Sequence, residues 1–81
     1  MTMQQVEVEA WVESALAGSS CTAEDLTGTS DHWRLRVSWN GFVGMSLLQQ
    51  HRRVMDIMRP RMEGGGDGAV HAVEIHTKTE E

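Results

Sequence analysis

The most constraining stretch of this sequence is Trp33-Arg34-Leu35-Arg36-Val37-Ser38-Trp39, in which apolar and polar residues alternate without a break. Side chains of a strand point to opposite faces in turn. The pattern therefore specifies a strand with one face in a core and the other in water. The segment Ser20 to Thr27 is shorter on signal but reads as a second strand, and Gly28-Thr29-Ser30-Asp31 between them is turn chemistry. The two strands are expected to form a hairpin, with His32 at the end of its loop.

Helical spacing flanks this pair. Val8, Trp11, Val12, Ala15 and Leu16 fall at the three-and-four spacing of one helical face, while Glu7, Glu9 and Glu13 lie off it. Glu7 and Glu9 suit a helix N-terminus and Gly18 suits a C-cap, so a first helix is predicted over Met3 to Ala17. Asn40 to Met45 reads as a connector. Ser46-Leu47-Leu48-Gln49 matches the Ser-x-x-Gln capping box and opens a second helix. Leu47, Leu48, His51, Val54, Met55, Met58 and Met62 make its apolar face, the methionines as core. Arg52, Arg53 and Asp56 lie on other sides. Pro60 lacks an amide donor and should stop the helix near Arg59. Gly64-Gly65-Gly66-Asp67-Gly68 is a loop, and Ala69 to Thr77 reads as a last strand. That strand places His71, Val73 and Ile75 on one face and His76 on the other. The order helix, strand, strand, helix, strand predicts one small α+β domain spanning residues 1–81, with 1–4 and 78–81 flexible.

Length and composition bound the function. A chain of 81 residues supports one domain. Such a domain buries only about 60% of its unfolded surface and has little room for a deep enzyme pocket. The single cysteine, Cys21, excludes an internal disulfide and a Cys-x-x-Cys site. It is expected to be a small, half-buried strand residue. The start Met1-Thr2-Met3-Gln4-Gln5-Val6-Glu7 has neither a basic region nor an apolar run, so no secretory signal is read. No run approaches the roughly 20 apolar residues of a membrane span. A cytoplasmic location without membrane attachment is the expectation. The net charge of −5 is unevenly placed: His32 to Met62 carries +5 and the rest −10. The middle is either a solvated basic helix face or a surface for an acidic protein, a phosphate-bearing ligand or nucleic acid.

Three blocks in order carry a family resemblance: Gly41-Phe42-Val43-Gly44-Met45-Ser46, Gln50-His51-Arg52-Arg53-Val54, and Val70-His71-Ala72-Val73-Glu74-Ile75-His76-Thr77. Together they resemble the BolA family, whose pattern is Phe-x-Gly-x-Ser, an Arg/Gln-His-Arg-x-Val block, and Ile/Val-His-Ala-Leu/Val near the end. The resemblance covers nearly the whole chain. It implies an α-β-β-α-β fold similar to the class II KH fold, with a short extra helical turn after the second long helix. One departure is the ending Thr77-Lys78-Thr79-Glu80-Glu81, where family members often have Thr-Pro-Glu-x-Trp.

The resemblance also implies a job. BolA-like proteins partner monothiol glutaredoxins and share a [2Fe-2S] cluster with them. The glutaredoxin cysteine and a glutathione thiol supply two ligands, and the BolA-like chain supplies the others. The near-invariant family ligand matches His71. The second, a His or Cys in the loop between the first two strands, matches His32. Imidazole ligation on one iron raises a cluster's potential, and a protonated imidazole releases metal. Two histidines do not complete a site alone, so a partner is required. From spacing alone, His71 reads as a packed histidine at a strand start, and it is the resemblance that turns it into a ligand; His32 reads either as a ligand or as a polar loop residue beside a strand. His51 reads as structural and His76 as surface.

A rival reading is DNA-binding regulation, which some BolA-like proteins carry out. Gly41-Phe42-Val43-Gly44 is a literal Gly-x-x-Gly before a basic helix, as in a KH clamp. Arg52, Arg53, Arg59 and Arg61 would meet phosphates, or equally an acidic glutaredoxin surface or a glutathione carboxylate. No nucleophile with a neighbouring base is readable, so an enzyme is not expected.

Overall fold

A computed structural model describes residues 2–79. Helix α1 (Gln5–Ala15) is followed by strands β1 (Ser20–Asp25) and β2 (His32–Ser38) and a 3-10 turn at Asn40–Phe42. Helix α2 (Leu47–Met58), a second 3-10 turn at Arg59–Arg61 and strand β3 (Ala72–Lys78) complete the chain. The expected α-β-β-α-β order and the extra turn after the long helix are both present. Within the end stretches 1–4 and 78–81, expected to be flexible, Met3 is buried and Lys78 pairs with Ser38 in the sheet. Residues 1, 80 and 81 lie outside the described residues.

The sheet runs β1-β2-β3, with β1–β2 antiparallel and β2–β3 parallel. The alternation in β2 works as the sequence dictates. Trp33, Leu35 and Val37 are buried, and Arg34, Arg36 and Ser38 face outward. Cys21 and Ala23 of β1 join them, beneath Val8, Val12 and Leu16 of α1 and Val54 and Met58 of α2. Cys21 is fully in the core rather than half-buried. Burial first, then the charges of Glu13 and Glu9, pushes its thiol up to about 12. Those two glutamates also finish the sheet. Glu13 Oε2 accepts the Cys21 amide and Glu9 Oε2 the Ala23 amide, both at 2.9 Å. They thereby occupy edge amides of β1 that a foreign strand would otherwise pair with.

Helix α1 is shorter than its apolar stripe, ending at Ala15 with Leu16 as cap. Gly18 adopts a left-handed φ of 83° just beyond it. Trp11, on the same stripe, donates its indole N–H to the Ile57 carbonyl at 2.7 Å and so ties α1 to the end of α2. Helix α2 opens with the predicted capping box: the Gln49 amide donates to Ser46 Oγ, and Gln49 Oε1 accepts the Ser46 amide at 2.8 Å.

The phase of α2 differs from expectation. Leu47 and Leu48 are exposed, as is His51, and Met55 and Met62 are only half-buried. The buried line is Gln50, Val54 and Met58. A glutamine fits there because both ends of its amide are satisfied. Its Nε2 donates to the Met45 carbonyl at 3.0 Å, and its Oε1 accepts the Thr77 hydroxyl of β3 at 2.6 Å. Burial of a polar group costs little once it is paired.

The glycine loop is anchored rather than loose. Val70 donates to the Arg61 carbonyl, Glu63 to the Val70 carbonyl and Asp67 to the Pro60 carbonyl. A Cβ on Gly66 would lie 2.1 Å from the Pro60 oxygen, so only glycine fits. Gly66→Ala should therefore cost about 1–3 kcal/mol, read as a lower urea midpoint at unchanged slope. Cys21 should resist iodoacetamide at pH 8 in the folded chain. Its modification rate should follow unfolding as urea is added, and fast labelling without urea would contradict its burial.

Candidate two-histidine site

The loop between β1 and β2 is built on Asp25. Its carboxylate accepts the amides of Thr27, Gly28 and Ser30 at 3.3, 3.0 and 3.1 Å. An aspartate binding amides a few residues on is the usual way such a turn closes. Gly28 and Ser30 take positive φ, and the Leu26 amide reaches back to the His32 carbonyl at 2.9 Å. The loop is thus fixed by its own side chains. It presents Asp31 and then His32 at the start of β2.

His71 arrives from the other direction. Ala69 and Val70 are fully buried, and Val70 forms an isolated parallel bridge with Met62. His71 follows at a bend immediately before β3. The expected last strand, Ala69 to Thr77, therefore begins later, at Ala72. His71 does not share the inward face of Val73 and Ile75; it is exposed. The anchor residues are the two before it. The main-chain carbonyl of Asp31 accepts the amides of His71 at 2.8 Å and Ala72 at 3.3 Å, which staples the hairpin loop to the start of β3.

These two segments bring the imidazoles together. The ring centroids of His32 and His71 are 5.8 Å apart and their planes are tilted by 60°. Both side chains are open to solvent, 40% for His32 and 49% for His71. Asp31 sits between them. Its Oδ1 is 2.8 Å from His32 Nδ1, and its Oδ2 is 3.8 Å from His71 Nδ1. On the far side, His71 Nε2 is 3.7 Å from Glu63 Oε2. Thr29 also donates its hydroxyl to Asp31. That hydrogen bond, then the one from His32, then the charges of the two histidines hold the Asp31 carboxyl below the usual carboxylate range. Asp31, Thr29 and Glu63 had not been picked from the sequence. A carboxylate directly before a candidate ligand was the available signal, because metal-binding histidines commonly bond such a group through their second nitrogen.

Imidazole donors suit iron. With metal–nitrogen bonds of about 2.0–2.1 Å, two imidazoles on one metal have ring centres about 5 Å apart, near the spacing here. The ring spacing is therefore compatible with two imidazoles on one metal. Among the described residues no group of three or more His, Cys, Asp or Glu is placed to hold a metal ion. Any metal held by this pair would need further ligands from elsewhere.

The other sequence candidates divide. Arg59 pairs with Asp56, and Arg61 Nε lies 2.8 Å from Asp67 Oδ2 with its guanidinium 5.1 Å above the Trp11 ring. Arg34 is held by Glu24 and Glu74. Arg36, Arg52 and Arg53 are exposed and have no carboxylate partner among the described residues. The continuous basic run of the sequence is thus broken by internal pairing. The two glycines have local structural reasons, Gly41 a close approach and Gly44 its backbone conformation. A Cβ on Gly41 would sit 2.3 Å from the Trp39 ring, and Gly44 takes φ 83° on the way into α2. Between them Phe42 is buried edge-on against Trp39. His51 is exposed on α2. His76, on the surface as expected, lies 3.1 Å from Glu74.

Comparison with known proteins fits this architecture. The family model described as "BolA-like protein" matches residues 2–81. Three solved structures superpose over nearly the whole chain. A BolA homologue from Coxiella burnetii has TM-score 0.77 and 24% identity, covering 96% of this chain and 92% of that one. A BolA-like protein from Rickettsia prowazekii has TM-score 0.72 and 26% identity, covering 100% of both. The BolA domain of SufE1 from Arabidopsis thaliana has TM-score 0.76 and 24% identity, covering 98% and 94%. A curated protein from Sinorhizobium sp, described as an uncharacterized protein in the cobS 5' region, is 35% identical over 51 residues. That match covers 63% of this chain and 50% of that protein, so the chain spans about half the length of the curated relative it matches.

The carboxylate between the histidines gives a titration test. Because its pKa is lowered, the stabilisation from ionised Asp31 is present above the ordinary aspartate value of about 3.9. It is lost as pH falls through the lower folded value. Carbon-detected NMR should show Asp31 titrating below the ordinary aspartate value, and His32→Ala should move it upward. No movement would mean that the His32 contact does not hold in solution.

Proposed function

The chain belongs to the BolA-like protein family, and on that premise we propose that it is a non-enzymatic partner of a monothiol glutaredoxin. It shares a glutathione-linked [2Fe-2S] cluster with that partner, for cluster trafficking or for iron and redox regulation. The observation that carries this reading is the His32–His71 pair, 5.8 Å apart and open to solvent on one end of the domain. Two neutral imidazoles complete a cluster that brings its other ligands with it, here the partner's cysteine and a glutathione thiol. When bound, the cluster supplies one-electron chemistry and an iron–sulfur unit that can be passed on.

The residues of this chain do the holding. The self-bonded loop from Asp25 to Asp31 fixes His32, and the buried Ala69-Val70 pair fixes the approach of His71. The half-exposure of both leaves room for a second protein to close over them.

DNA binding through the basic helix and the Gly41–Gly44 loop is the second reading. It rests on Arg52 and Arg53, which are exposed and free of internal partners among the described residues. It has less support. The engagement of Arg59 and Arg61 within the chain leaves it a smaller phosphate surface, and Gly41 is already accounted for by its close approach to Trp39.

Co-purification with a monothiol glutaredoxin, glutathione and iron tests the main reading. A mixed complex should give visible absorbance and circular dichroism distinct from those of the glutaredoxin homodimer. His71→Ala and His32→Ala should each weaken that signal while leaving the far-ultraviolet spectrum of the domain intact, since neither ring is buried. If no distinct mixed species forms, the proposal fails. Salt-dependent retention of duplex DNA without any mixed species would favour the second reading instead.

A further inference from the structure

We infer that Asp31 is the positioning residue of the two-histidine pair and that it selects Nε2 of His32 as the outward donor atom. The inference deepens the proposed function and rests on it for the identity of what is bound. The orientation itself is a property of the isolated chain.

The geometry is directional. Asp31 Oδ1 and His32 Nδ1 are 2.8 Å apart. A carboxylate only accepts, so the imidazole nitrogen facing it must carry the proton. A neutral ring has one N–H, and placing it on Nδ1 leaves the lone pair on Nε2. The carboxylate is itself held by the Thr29 hydroxyl, and the loop behind it is closed by Asp25. The acceptor is therefore fixed before His32 meets it. Free histidine side chains favour the proton on Nε2, so without this contact the donor atom of His32 would point back toward the loop.

The same residue acts on the second histidine by a different group. Its main-chain carbonyl accepts the His71 amide at 2.8 Å and the Ala72 amide at 3.3 Å. One residue thus sets the ring state of His32 by its side chain and the backbone position of His71 by its carbonyl. The two roles separate by mutation. Asp31→Ala deletes the carboxylate and keeps the carbonyl, so the staple between the loop and β3 remains.

The test reads the tautomer directly. Long-range proton–nitrogen correlation spectra of the metal-free chain at about pH 8 report which ring nitrogen is protonated. The wild-type chain should show His32 protonated on Nδ1. Asp31→Ala should move His32 toward the Nε2-protonated form, with the backbone resonances of Ala72 to Lys78 unchanged. In the mixed complex, Asp31→Ala should weaken capture about ten- to a hundredfold, as loss of a bonded carboxylate behind a histidine ligand typically does. Combined with His32→Ala it should add nothing further, because both changes remove the same ligand. His32 protonated on Nε2 in the wild-type chain would overturn the inference, whether or not Asp31→Ala folds. So would an unshifted tautomer in the variant, or additive losses in the double variant. If the tautomer shifts as expected while the wild-type chain forms no mixed complex, positioning by Asp31 stands and the proposed function is what fails.

Discussion

Strand β2 is hydrogen-bonded along both of its edges, and every other element is placed by reference to it. Its inward residues Trp33, Leu35 and Val37 share one buried core with residues of both helices. Its outer edges differ in sense, antiparallel to β1 and parallel to β3. The antiparallel side needs only a tight loop, which the turn residues after Asp25 supply. A parallel neighbour requires the chain to travel back to the starting end, and α2 with its 3-10 turn and the anchored glycine segment makes that return.

The parallel pairing explains how the site forms. Parallel strands begin at the same end, so the first residues of β2 and β3 are neighbours: His32 pairs in register with Ala72. His71, one residue earlier, falls beside the loop that precedes His32. Two histidines far apart in sequence therefore meet because both stand at strand starts. The polar groups between them follow from the same placement. The Asp31 carbonyl has no ladder partner of its own and is met by the two amides at the start of β3.

Much of this was legible, and the failures have physical causes. The alternation in β2, the capping box at Ser46, the extra turn at Pro60 and the family blocks each fixed their element within a few residues. The phase of α2 was misread because hydrophobicity alone counted Leu47, Leu48 and His51 toward the core. A buried glutamine becomes visible only when its partners, the Met45 carbonyl and the Thr77 hydroxyl, are known. The arginine run looked like one basic surface because pairing with Asp56, Asp67, Glu24 and Glu74 depends on tertiary proximity. His71 was assigned to an inward strand face by extending the period-two pattern one step too far. Burial of Ala69 and Val70 on consecutive positions breaks that period.

The register that brings the histidines together is locked one row further into the sheet. Arg34 of β2 reaches Glu24 of β1 at 3.0 Å and Glu74 of β3 at 2.8 Å, spanning all three strands on the solvent face. Exposed ion pairs add little stability. Their value here is specificity: opposite charges stand directly across both ladders, at the positions paired Glu24–Arg34 and Arg34–Glu74. The bonds from Arg34 and His76 hold the Glu74 carboxyl below its ordinary range, consistent with a charge kept in place. A slip of one residue between β2 and β3 would bury Arg34 or Glu74 and turn Trp33 outward, so the sheet has one acceptable register. That same register sets the spacing of His32 from His71. The proximity of the two histidines is therefore set by the sheet, and the side-chain contacts around Asp31 refine what strand pairing has already imposed.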